Sequence, residues 1–348
     1  MTIAIYVYRH LWLTIMAYVI LQVPPFYRCR AFCGSRRFHG LCMLALVTHP
    51  DYDIPLPDGH RFPATKFSKL IASLHDQGLF GHFTPVTPTA ATPDDLGLVH
   101  CPDYIAAIAE GRLPEEALRV LGLKWSSVLR NRSFLAVNGT MLAARHALAH
   151  GLACHAAGGT HHAHFDYGAG FCVFNDLAFT ARRLIAEGAV RSVLILDCDV
   201  HQGDGTARIL ADDPAIFTCS LHCRNNYPAR KATSDLDIEI EPGTGDDDYL
   251  RIVEMVLKRL AEDESCQPDL VLYDAGVDVH ADDRLGNLAL SHDGILARDK
   301  MVIQHFRSRH IPIATVIGGG YGHDIDEVAY RHSLVFRAAH ASTSAGKG

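Results

Sequence analysis

Residues 193–206 read VLILDCDVHQGDGT, a short run of apolar β-formers that ends abruptly in Asp197, Asp199, His201, Asp204 and two glycines. Such an unbroken run predicts a strand buried on both faces, which implies a parallel sheet covered by helices. A helical pattern starting near Thr206 agrees with this. The acidic residues then fall at the carboxyl end of the strand, the edge along which open α/β sheets form their ligand crevices. Side chains of an extended segment alternate in direction, so Asp197, Asp199 and His201 share one side for as long as strand geometry persists. Two carboxylates and an imidazole meeting there call for a cation between them, and a metal ion is the expectation. A plain surface turn rich in Asp and Gly is the competing reading. It is weakened by the buried strand directly before it.

The rest of the chain can be placed around this stretch. Beyond Gly151, strands are predicted at Leu152–Ala157, Val193–Leu196, Ala215–Leu221, Leu270–Tyr273 and Ile313–Ile317. Helices are predicted between and after them, near Asp176–Glu187, Thr206–Leu210, Asp247–Ala261, Asp293–Arg309 and Asp324–Ala339. That alternation specifies an α/β fold with a mainly parallel central sheet and helices on both faces. Upstream, helices are expected at Ser68–Gln77, from the PDDL segment, at Pro114–Arg130 and at Ser133–Ala149, separated by loops rich in Pro, Asp and Gly. No repeat or linker interrupts residues 43–339, which read as one domain. Residues 340–348 read as a disordered tail. Residues 1–42 form an apolar and basic extension: Leu11–Val23 is apolar, with Arg9 before it and Arg28, Arg30, Arg36 and Arg37 after it. The run is short for a spanning helix, and translation starting at Met43 is the simpler reading. Were it an anchor, the positive charge on its far side would leave the folded domain in the cytoplasm.

Composition removes some functions. The 348 residues are 48% apolar, enough for a large core, and the formal net charge of -7 does not favour direct nucleic-acid binding. Ten cysteines occur singly, without a CxxC pair and often inside apolar runs. Reduced thiols in a cytoplasmic protein explain them better than a disulfide framework.

Polar residues cluster directly after each predicted strand, and this regularity is the informative one. GGTHHAHF comes after the first, with adjacent His161 and His162. The acidic cluster comes after the second and Leu221-His222 after the third, with DAGVDVHADDRLG after the fourth and GGGYGHD after the fifth. In a parallel sheet these ends share one edge, so they can converge on one site. His161 and His162 are then candidates for general base and acid. Asp278 is the natural third metal ligand, though spacing alone does not separate it from Asp274, Asp282 or Asp283. The triglycine lets backbone pass close to a substrate, and the phenol of Tyr321 can donate to an oxyanion. A phosphate loop is the alternative there, but the GxGxxG spacing and a Lys are missing. Two Asp and one His leave coordination positions open, as metal-assisted hydrolysis requires.

Taken together, GGTHHAHF, GAGFCVFND, LDCDVHQGDGT, SLH, DAGVD, DRLGNLALS and GGGY resemble the histone deacetylase superfamily, in that family's order and over about Met43 to Ala339. PLPDGHRFP, the Gln in DVHQGDG, Tyr227-Pro228 and GTGDDDYL are most similar to class IV enzymes and their bacterial relatives. The resemblance implies the arginase/deacetylase fold and a zinc-dependent hydrolase that removes acetyl or longer acyl groups from lysine or a related amine, with acetylpolyamines among the alternatives. It implies Asp199, His201 and Asp278 as ligands of Zn2+ or, alternatively, Fe2+. It makes His162 the general base and acid and His161 its electrostatic partner. Asp197 and Asp204 become the carboxylates that orient His161 and His162, so Asp197 is not a ligand. Tyr321 would hydrogen-bond the scissile carbonyl. Phe171, Tyr227, Gly170 and Gly319 would line the substrate tunnel, and a structural K+ would use Ser220 with the main chain of Asp197 and Leu221. Gln202 departs from the His of class I, a change expected to tune activity. Residues GHDIDE after GGGY, at the tunnel mouth, match no subclass. Two further readings remain, a non-catalytic module that binds acylated ligands and a binuclear manganese ureohydrolase. Intact His and Tyr residues oppose the first. The second would need additional Asp and His ligands.

Overall fold

Eight strands run in one direction. They are β1 (Leu44–Val47), β2 (Phe83–Val86), β3 (Leu152–His155), β4 (Val193–Asp197), β5 (Ile216–Cys223), β6 (Leu236–Ile240), β7 (Leu270–Asp274) and β8 (Ile313–Val316), in the computed structural model, which describes residues 44–57 and 59–344. They form a single sheet in the order β2-β1-β3-β8-β7-β4-β5-β6, and each neighbouring pair is parallel. Every residue of β1, β3, β4, β7 and β8 is buried, which requires helices on both faces. The expected α/β class and parallel sheet are therefore present.

Strands β1, β2 and β6 were not expected. Strands β2 and β6 are the sheet's two edges and read FTPV and LDIEI, with polar residues and a proline that only an edge tolerates. The helix expected over Pro114–Arg130 is divided. Glu115–Leu121 stops at Gly122, whose φ of 76° only glycine adopts readily, and a new helix, Ser127–His150, begins where the Ser126 hydroxyl accepts the N–H of Leu129. Helix Pro102–Glu110 was missed. It too opens on a proline and closes on a left-handed glycine, Gly111.

The last helix is Ile325–Ser344, so residues 340–344 of the expected tail are helical. Ser342 and Thr343, whose hydroxyls can compete for backbone bonds, donate to the carbonyls of Ala339 and His340 within the helix. Residues 345–348 and the 1–42 extension, with its apolar run, lie outside the described residues. Among the described residues no helix is long and apolar enough to cross a membrane.

One helix fastens the ends of β4 and β7. On His292–Ser308, Arg298 and Asp299 are completely buried and paired at 3.0 Å. The guanidinium donates to the carbonyls of Gly276 (2.7 Å), Cys198 (3.2 Å) and Ala275 (3.3 Å), and Asp299 accepts the Tyr273 hydroxyl at 2.7 Å. Cys198, Ala275 and Gly276 begin the two loops beyond those strands. An Arg298→Ala variant strands a buried carboxylate and three carbonyls, and is expected to lose about 3–5 kcal/mol of stability. Urea unfolding would report this as a lower midpoint at unchanged slope. A wild-type midpoint would show that this anchor is dispensable.

Candidate active site

Four adjacent strands, β3, β8, β7 and β4, deliver their carboxyl ends to one place. Strand β4 stops at Asp197, so the alternation expected to align Asp197 with Asp199 and His201 does not continue. Asp197 instead turns to His161, whose Nδ1–H donates to it at 2.7 Å. Asp199 and His201 lie on the loop beyond, with Asp278 from the loop after β7. The ligating atoms of these three lie within 4.8 Å of one another, and all three residues are buried. His201 Nδ1 is 3.0 Å from Asp199 Oδ1 and 3.1 Å from Asp278 Oδ2. The main chain aims the carboxylates, since Gly319 N–H donates to Asp199 Oδ2 at 2.6 Å and Val200 N–H to Asp278 Oδ1 at 2.9 Å.

This donor set fits a divalent cation. Asp278 Oδ2 is buried without a hydrogen-bond donor, and two carboxylates share a site of low dielectric. Burial and the Asp199 charge push Asp278 up to about 7. Burial acts against the charged form of His201, but Asp199 and Asp278 outweigh it and hold the ring at about 10. Both shifts express surplus negative charge that a cation would neutralise. The competitors for the third position are separated here. Asp282 has a side chain 80% exposed, whereas Asp283 accepts the N–H groups of Tyr321 (2.6 Å), Leu285 (2.8 Å) and Gly286 (3.0 Å) and so fixes the loop of Tyr321. Asp274 lies beside His161 at 3.9 Å with both oxygens unpartnered; burial, reinforced by Asp197, raises it well above the usual carboxylate range.

Glycine shapes this ground twice. A Cβ on Gly319 would stand 2.0 Å from Asp278 Oδ2 and 2.5 Å from Asp199 Oδ2. One on Gly159, where φ is 77°, would stand 2.5 Å from the Cα of Gly318. The expected close approach of the triglycine is thus to the acidic cluster and to the Gly-Gly turn before the histidines. Asp176 holds that turn by accepting the N–H groups of Gly159 (3.1 Å) and Thr160 (2.7 Å).

The histidines are neighbours with opposite electrostatics. His161 is drawn down by burial, yet Asp197, Asp199 and Asp274 together raise it well above its ordinary value. Burial lowers His162 to about 3, and the charge on His161 adds to this against Asp204. His162 Nδ1 donates to Asp204 Oδ1 at 2.8 Å, leaving Nε2 as the basic nitrogen of a neutral ring. Asp204 is itself braced by Arg208 at 2.9 Å and His164 at 3.2 Å.

His162, His201 and Tyr321 line a cavity of about 320 Å³, together with Phe171, Gly170 and Tyr227. The Tyr227 ring stands edge-on to His162 with centroids 4.8 Å apart, and is 42% exposed at the opening. Gly319 is the exception among the four expected lining residues. It borders an adjoining inner space of about 30 Å³, next to Asp199, that shares His162, Gly170, Phe171 and Tyr321 with the cavity. Tyr321 is buried, and that burial together with Asp199 and Asp278 keeps its phenol protonated far above neutrality. The residues expected to hold K+ sit on paired strands, with Asp197 opposite Ser220 in register. Ser220, Leu221 and His222 lie within β5 rather than after it, and His222 contacts Ser220 at 3.0 Å instead of joining the site. Gln202 bonds Asp237 (2.8 Å) and the backbone of Ala232, so it braces the loop before β6.

Two cations of the inner space were overlooked in the sequence. Lys66 donates to the Gly318 carbonyl at 2.9 Å, and burial lowers it to about 8. Arg132 donates to the Tyr52 carbonyl at 3.0 Å. A signal existed for Lys66, which shares the buried stripe of its helix with Leu70 and Leu74.

The histone deacetylase domain profile matches residues 60–337 of the chain. An uncharacterized protein of Picosynechococcus sp. is 47% identical over 294 residues, 84% of this chain and 97% of that protein. Histone deacetylase 2 of Arabidopsis thaliana is 30% identical over 294 residues, covering 81% of this chain and 75% of its own length. The acetoin utilization protein AcuC of Staphylococcus aureus is 29% identical over 253 residues, covering 66% of this chain and 64% of its own length. Among solved structures, the HD domain of HDA15 superposes with a TM-score of 0.71 at 20% identity, over 87% of this chain and 89% of that one.

Proposed function

Because this chain belongs to the histone deacetylase family of hydrolases, we propose that it removes a short acyl group, acetyl first of all, from the ε-amine of lysine or a related amine. The observation that carries this reading is the opening of His162, His201 and Tyr321 onto one cavity, with Asp199 and Asp278 converging beside His201. Asp199, His201 and Asp278 would hold Zn2+, with Fe2+ as the alternative. Bound there, the ion supplies Lewis acidity toward a carbonyl and acidifies a water toward neutral pH. A K+ held by Ser220 and the main chain of Asp197 and Leu221 belongs to the same proposal. Among the described residues the cysteines are free and mostly buried, which supports a reducing compartment, the cytoplasm.

The side chains divide the chemistry. His162 takes a proton from the attacking water at Nε2 and returns it to the leaving amine, while Asp204 holds the ring through Nδ1. Burial, with the cationic character of His161 held by Asp197 added to it, keeps the His162 ring neutral, so its Nε2 lone pair is free. The phenol of Tyr321, which stays protonated, donates to the carbonyl oxygen as negative charge develops there. Phe171 and Tyr227 wall the methylene chain and keep water away. The small inner space, lined by Phe62 and by the cations Lys66 and Arg132, favours a short acyl group over a fatty chain.

A hydrolysis panel on zinc-loaded protein tests the reading, with acetyl-lysine and myristoyl-lysine peptides, an acetylated polyamine, and arginine. The expected result is release of acetate from acetyl-lysine, abolished by a chelator, restored by zinc, and at least tenfold faster than cleavage of the myristoyl peptide. Silence on every amide would indicate a binding module, and urea from arginine a binuclear ureohydrolase.

A further inference from the structure

The mouth of the cavity has a charge of its own. Arg61 and Arg119 both line it, and among the described residues that line it none is a carboxylate. This runs against the acidic character of the chain, whose net charge is -7. Both arginines are exposed, and among the described residues neither is paired with an acidic side chain. The Arg119 side chain donates to the Glu115 carbonyl at 3.4 Å.

Their placement is built into the wall of the site. Arg61 lies between His60 and Phe62, whose rings pack on Phe171 at centroid distances of 6.0 Å and 5.5 Å. The Phe62 N–H donates to His60 Nδ1 at 3.1 Å, closing the backbone around Arg61. Arg119 sits on the last turn of Glu115–Leu121, and the Leu121 carbonyl accepts the Phe171 N–H at 2.8 Å. Gly122 comes next, so close to Phe171 that a Cβ there would stand 2.8 Å from its ring. Two separate segments therefore mount a guanidinium each on the aromatic wall that the substrate's chain must pass.

We propose that Arg61 and Arg119 form a carboxylate-recognising subsite, which selects acyl amines that carry negative charge beyond the tunnel and rejects polycationic ones. The proposal rests on the deacylase reading above and names its substrate class. A planar guanidinium fork suits a carboxylate in particular. Two sources offer one, an Asp or Glu beside the acyl-lysine in a peptide, and the α-carboxylate of free Nε-acetyl-lysine. A polyamine chain would bring its ammonium groups against two like charges.

Acetyl-lysine peptides with Asp, Ala or Lys at both flanking positions, free Nε-acetyl-lysine and its α-amide, and an acetylated polyamine separate these cases in zinc-loaded protein. kcat/KM is expected to fall in the order acidic, neutral, basic, over roughly tenfold through KM, with the spread shrinking at high salt. A larger ratio of free acid to α-amide than of Asp to Ala peptide would identify the small molecule as the source, and the reverse a peptide. The R61Q/R119Q double variant is expected to bring the acidic-to-basic ratio close to one. Equal rates for acidic and basic peptides in the unaltered protein, or an unchanged ratio in the double variant, would overturn the subsite while leaving the deacylase in place. Absence of turnover on every substrate would remove the deacylase reading itself.

Discussion

An Asp278→Asn variant is expected to emerge from zinc loading and dialysis with almost no metal and almost no hydrolytic activity, while folding normally. The asparagine carbonyl can still accept the Val200 N–H that Asp278 Oδ1 accepts at 2.9 Å, so the loop keeps its local bond. What disappears is the negative charge of Oδ2, the oxygen that faces His201 at 3.1 Å and has no hydrogen-bond donor. Losing a direct ligand costs more than losing the outer partner of one, which typically lowers metal affinity or activity by roughly 10–100-fold. Elemental analysis of the unaltered protein is expected to give one zinc per chain. Full retention of zinc by the variant would exclude Asp278 as a ligand. Two metals per chain in the unaltered protein would direct attention to the buried neighbours His161, Asp197 and Asp274, which form a second cluster of suitable spacing.

His162→Ala is expected to lower kcat on acetyl-lysine peptide by about 10²–10⁴-fold with zinc content unchanged, the range for losing a general base and acid. The separation from the first variant is the useful part: one loses metal and chemistry together, the other chemistry alone. Asp204→Asn should fall between His162→Ala and the unaltered protein, because it disturbs the ring nitrogen that does not carry the transferred proton. A His162→Ala protein within tenfold of normal turnover would transfer the proton role elsewhere, with His161 the nearest candidate.

Much of this site could be read from residues alone where it depended on a strand's end. The apolar run before Asp197 located β4, and the polar residues just beyond β3, β7 and β8 meet it because those strands are neighbours in a parallel sheet. Spacing could not choose among Asp274, Asp278, Asp282 and Asp283, since a loop has no periodicity from which to read direction. Only the tertiary contacts distinguish an exposed Asp282 from an Asp283 that caps three N–H groups. Asp197 shows the opposite failure, in which a sound rule was carried one step past the strand that justified it. Lys66 and Arg132 escaped notice because lysine and arginine are usually surface residues, and only burial makes them unusual. The edge strands β2 and β6 were lost to their polarity, which solvent on one side permits.

The position of β8 bears on how the molecule comes into being. It pairs with β3 on one side and β7 on the other, yet it comes after both in the chain, and Gly318, Gly319 and Tyr321 lie directly beyond it. During synthesis, β1 and β3 emerge long before β7, and the two halves of the sheet have no hydrogen bonds to each other until β8 arrives between them. Contacts of such long sequence separation are slow to form and leave strand edges open meanwhile. A nascent chain released before Ile313 would carry every acid and all three histidines of the site, His161, His162 and His201, and still have a sheet split down the middle, with two unpaired edges exposed. Completion of the catalytic centre and closure of the sheet are the same event, so an interrupted product would be an aggregation hazard and not a weak enzyme.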